Sequence, residues 1–148
     1  MSKRPSPLRR KATTIVEFAF IAVVFFMFIF GVIEYGRFIM TLQVMNNAAR
    51  EGARAAVVGQ SSMTTAQIDA IVTNYLAGQT TQISGMSIQV FQIDPSTGNN
   101  IGSWNSAGFG EAIAVQINGT YSPALPNFLQ MAGSMPVQVR AVMYSEAD

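Results

Sequence analysis

The stretch TTIVEFAFIAVVFFMFIFGVI, residues 13–33, decides how this chain is read. Its 21 residues carry a single charge, Glu17, and at about 1.5 Å per residue they make a helix long enough to cross the ~30 Å hydrocarbon core of a bilayer. Lipid offers the backbone no hydrogen-bond partners, so such a segment spans as a helix. A removable secretory signal has a shorter apolar stretch, about 7 to 15 residues, closed by a small-residue cleavage site. Here the apolar run leads straight into a continuing helical pattern, which argues for a retained anchor.

Charge places the anchor. Lys3, Arg4, Arg9, Arg10 and Lys11 precede the run with no acidic residue among them, whereas from Ala12 onward four arginines face eight carboxylates, a net of −4. The basic flank predicts a cytoplasmic N-terminus and puts everything beyond about Tyr35 on the far side, so a single-pass chain with an extracytoplasmic head is expected. A mildly acidic head offers no basic stripe to a phosphate backbone, so nucleic acid is not an expected partner. The organisation reads as a basic leader over 1–12, a membrane helix over 13–34, an extramembrane continuation over 35–58 and a head over 59–148.

Glu17 needs a reason, because a carboxylate in a membrane helix costs on the order of 2 to 3 kcal/mol on insertion scales. One reading is interfacial, with the charge tolerated one turn inside the helix by the basic flank and the helix N-terminus.

No proline interrupts residues 31–59, and the apolar positions keep a helical spacing, so one helix is predicted from Thr13 to Val58, roughly 69 Å long. Glu34 with Arg37, and Glu51 with Arg54, are spaced i to i+3 and read as ordinary solvated pairs. Ala48, Gly52 and Ala56, with Ala49 and Ala53 beside them, form a helix-packing stripe of small side chains. Such a stripe permits close approach either by the protein's own sheet or by another subunit.

The head predicts α+β: one short helix and a three- to four-stranded antiparallel sheet. Gly59 closes the long helix. Thr64 and Gln67 form a capping box for a second helix over 65–77 with Ile68, Ile71, Val72, Tyr75 and Leu76 on its apolar face, and Gly78 stops it. Strands are expected over 87–94, 111–119 and 136–145, with a short one around 101–104 in the turn-rich segment between the first two. The buried face of the first is not decided by its pattern. Trp104 and Phe109 in that loop either bind something or fold back over the sheet.

Chemistry is sparse. Without cysteine or histidine the chain lacks thiol nucleophiles, imidazole bases and the commonest transition-metal ligands. The head carboxylates Asp69, Asp94 and Glu111 fall at unrelated spacings, and Asp94-Pro-Ser-Thr-Gly reads as a turn with too few acidic ligands for calcium. No catalytic residue, metal site or cofactor is predicted, and an enzyme is not expected.

Two resemblances sharpen the reading. The run RRK-A-TTIV-E-F resembles the prepilin-peptidase site of type IV pilins, with Ala12 where that family more often has glycine. Together with GVIEYGR, NNAAREGARAAV and, more loosely, the closing VQINGTYSPALPNFLQMAGSMPVQVRAVMYSE, it is similar to the TadE-like family of tight-adherence (Flp-type) pilus proteins. That resemblance implies a minor pilin or pseudopilin that takes part in pilus assembly and cell adhesion. It implies cleavage between Ala12 and Thr13 by a prepilin peptidase, and a role in assembly and register for Glu17 and Phe18. The implied partners are the membrane, the peptidase, other pilins and the assembly platform. The alternative is a single-pass anchored binding or adhesion protein that never enters a filament; processing at Ala12–Thr13 separates the two.

Overall fold

A computed structural model describes residues 7–76, 78–125 and 132–146, with side chains from Thr14 onward. Helix α1 runs Pro7–Val58, 52 residues, or about 78 Å. It begins six residues earlier than the apolar pattern suggested. Proline suits a first helical position, where its missing N–H is no loss, and the leucine, arginines, lysine and alanine that follow are good helix formers. Helix α2, Thr65–Tyr75, starts on the expected capping box: Gln67 N–H donates to Thr64 Oγ1 (3.4 Å) and Thr64 N–H to Gln67 Oε1 (2.8 Å).

The sheet contains β1 (Ile83–Ile93), β2 (Asn100–Gly102), β3 (Ala112–Tyr121) and β4 (Met135–Tyr144), all antiparallel, in the order β2-β1-β3-β4. The fold is therefore α+β, a long apolar N-terminal helix followed by a short helix and a four-stranded antiparallel sheet. β1 starts four residues before the expected Ser87, because the pattern is broken by a bulge between Ser84 and Ser87 where Gly85 takes φ +60°. That left-handed conformation is cheap for glycine, and the extra residue hides the strand's period of two.

One core lies between the sheet and the helices. Met45, Ala48, Ala49, Ala53 and Ala56 of α1, Ile68, Val72 and Leu76 of the α2 region, and Ile113, Val115, Ile117, Val137, Val139 and Ala141 of the sheet are buried together. α2 buries a narrower stripe than its sequence suggested, since Tyr75 stays 53 % exposed. Val72 brings α2 close to α1 at Gly52. A Cβ placed on Gly52 would come within 2.5 Å of Val72 Cγ2 and 3.3 Å of Val115 Cγ1.

The outer face of the sheet carries a second cluster, Phe91, Ile93, Ala112 and Ala114. This explains the undecided pattern of β1: Ile88 and Val90 turn toward the helices while Phe91 and Ile93 turn outward into cover of their own. Arg140 forms part of that cover. Its guanidinium lies 5.7 Å from the Phe91 ring centroid, donates from Nε (2.9 Å) and Nη2 (2.5 Å) to Gln116 Oε1, and from Nη1 to the Gly98 carbonyl (2.9 Å).

Candidate functional site

Among the described residues no group of three or more potential metal ligands gathers, and the sequence-predicted site residues all lie on α1, a helix that divides sharply along its length. From Thr14 to Phe30 every residue is exposed except the half-buried Ala22 and Ile29. Phe18, Phe20 and Phe28 are each about 70 % exposed. An apolar surface of this size is unstable in water and is the signature of a segment that lives in lipid or against other helices. Glu17 sits on it as an exposed residue beside Phe18. Ala12 and Thr13 belong to α1, but their side chains lie outside the described residues.

The upper half presents a buried stripe to the head: Glu34, Thr41, Met45, Ala48, Ala49, Gly52, Ala53 and Ala56. The small-residue stripe is thus buried in the head's core, with Gly52 close to Val72 of α2 and Val115 of β3. At its lower end stands a polar joint. Tyr121 Oη donates to Glu34 Oε1 at 2.9 Å, the Ala124 N–H donates to the same oxygen at 3.1 Å, and Arg37 Nη1 pairs with Oε2 at 3.4 Å. One turn further on, the Thr41 hydroxyl shares its proton among the Arg37 carbonyl (3.0 Å), Gln79 Oε1 (3.0 Å) and Gln82 Oε1 (3.2 Å).

This corrects the expectation for Glu34 and Arg37. Glu34 is 4 % exposed, so the pair is no solvated i to i+3 contact. It is the polar end of the core stripe, tolerated because donors from β3 and from the chain just after it satisfy the carboxylate. Burial, then the Glu34 carboxylate, push the Tyr121 phenol up to about 12, which keeps it a donor at any physiological pH. Glu51 and Arg54, by contrast, form the expected surface pair at 3.9 Å. The spacing 34-41-45-48-52 was available in the sequence as one helical face; what obscured Glu34 was its charge.

The upper end of α1 is tied down as well. Gln60 is buried, its Nε2 donating to the Ala107 carbonyl and its Oε1 accepting from Ser145 Oγ at 2.7 Å. Trp104 folds back over the core and donates from Nε1 to Thr65 Oγ1 at 3.0 Å, while Phe109 remains 71 % exposed. Asp94 serves the turn it begins: its carboxylate accepts from Ser96 Oγ (2.6 Å), Ser96 N–H (2.8 Å) and Thr97 Oγ1 (2.8 Å), which hold it at about 2. Among the described residues no group of three or more histidine, cysteine, aspartate or glutamate side chains could hold a metal ion.

The part of the chain that carries the exposed stem and the stripe above it also carries a family signature. Residues 12–54 match the TadE-like protein family. The TadE-like match lies wholly inside α1, from the residue before the apolar run to Arg54, and implies a protein associated with a tight-adherence (Tad) pilus, a group whose members are typically structural. No curated protein and no solved structure matches the chain.

Proposed function

We propose that this protein is a minor pilin or pseudopilin that takes part in assembling a tight-adherence (Flp, type IVb-like) pilus. It is inserted in the inner membrane with its N-terminus cytoplasmic and its head extracytoplasmic, and a prepilin peptidase cuts it between Ala12 and Thr13. The observation that carries the reading is the coincidence of the TadE-like match with a helix whose lower half is exposed and apolar and whose upper half is built into a head.

The mechanism follows from the stem. Cleavage creates a positively charged amino group at Thr13, four residues from Glu17. When stems pack side by side, Glu17 of one subunit neutralises the amino group of the next. A charge left unpaired in the apolar bundle is strongly penalised, so the pair selects one axial register, with Phe18 packing alongside. The head and its joint fix what each stem presents beyond the membrane, to other pilins and to the assembly platform.

The test is Glu17→Ala in cells that make the pilus. The substituted protein should reach the membrane in normal amount and be cut, yet be depleted from sheared filaments; incorporation at the wild-type level would remove the pairing from the mechanism.

A further inference from the structure

The exposed face of α1 does not turn polar where the membrane-length segment ends at Ile33. Past that point Tyr35, Ile39 and Met40 remain 46, 54 and 57 % exposed. Only then does the same face become Gln43, Asn46, Asn47 and Arg50, all exposed. Between Glu17 and Arg50 the chain has two charges, Glu34 and Arg37. The first is buried in the joint, and the second keeps a side chain 38 % exposed.

Ile39 lies six residues beyond Ile33, or about 9 Å, comparable with the ~5–8 Å of headgroup layer that separates hydrocarbon from water on one side of a bilayer. The joint fixes the head at the same level, because Ala124 is bonded to Glu34 and the next residue, Leu125, is exposed.

We infer that the base of the head is seated in the lipid headgroup layer, with Tyr35, Ile39, Met40 and Leu125 in contact with phospholipid and the Arg37 guanidinium at the level of the phosphates. This rests on the anchor reading and adds to it a depth: the water boundary on α1 falls between Met40 and Gln43. The residue types suit the place. Tyrosine prefers the interface, having an apolar ring and a polar tip, and arginine reaches phosphate while its stem stays among apolar groups. The occupant is lipid because the apolar face continues without a break from the spanning segment and ends about one headgroup layer beyond it. The Glu34 joint thereby holds the head down on the membrane surface.

The chain has no cysteine, so single cysteines report depth directly. Full-length Val24→Cys, Ile39→Cys, Leu125→Cys and Arg50→Cys proteins are spin-labelled, placed one copy per nanodisc of phosphatidylcholine and phosphatidylglycerol, and scored for collision with oxygen and with a water-soluble nickel chelate. Oxygen should dominate at position 24 and the chelate at 50. At 39 and 125 chelate accessibility should be severalfold below that at 50. If 39 and 125 are as open to the chelate as 50 while 24 stays dry, the seating is wrong and the anchor stands. If 24 is also wet, the anchor reading itself fails. Protection at 39 that appears only in discs with two copies would assign the face to a second chain and overturn the lipid assignment.

Discussion

Tyr121 at the end of β3 and Glu34 in α1 are joined by a 2.9 Å hydrogen bond across 87 positions of sequence. The bond closes the core at the end nearest the apolar stem, where the polar joint takes over from apolar packing. Both groups are buried, so removing the donor leaves a carboxylate short of a partner. Tyr121→Phe should therefore destabilise the head by about 1–3 kcal/mol, read by denaturant unfolding in micelles.

The same contact gives an alkaline signature. The phenol's folded pKa is raised, to about 12, above its ordinary 10.0. The stability it contributes is thus complete below pH about 10 and is lost as pH rises through about 12. Wild-type protein should lose stability across that window, and Tyr121→Phe should show a flatter profile there.

At Gly52, packing sets the residue. Gly52→Ala should cost about 1–3 kcal/mol, because the new methyl meets Val72 and Val115. Val72→Ala in the same chain should recover part of the loss, a non-additivity readable from a double-mutant cycle.

Among the described residues, Asp69 Oδ1 is a buried polar atom with no hydrogen-bond partner, and burial raises the carboxyl pKa above 3.8. A raised acid favours folding while protonated, and that contribution is lost as pH rises through the folded pKa. Asp69→Asn should unfold at higher temperature than wild type at pH 7. The gap should close as the pH falls toward the carboxylate range.

Arg140 holds the outer face of the sheet through a fork onto Gln116 and its position over Phe91. Arg140→Lys cannot reproduce two parallel donors to one oxygen. It should lose nearly as much stability as Arg140→Ala, about 1 kcal/mol, in thermal unfolding.

Much of this architecture was legible in the residues. The apolar run, the absence of proline and the small-residue stripe specify α1 and its close neighbour, and the Thr64–Gln67 spacing specifies the start of α2. What escaped was set by tertiary contact. Glu34 looks like half of a surface pair until β3 supplies Tyr121. β1 hides behind a glycine bulge, and Tyr75 stays exposed while Ile68, Val72 and Leu76 enter the core shared with α1 and the sheet. The stem was readable for a different reason, since lipid imposes length and apolarity directly on sequence while a head core can be filled in many ways.

The central claim is that α1 is a processed pilin-type stem. Intact mass and N-terminal sequencing of the protein extracted from membranes of cells that build the pilus test it most directly. The account predicts a chain that has lost residues 1–12 and begins at Thr13. A membrane-extracted chain that keeps Met1–Ala12 would contradict it.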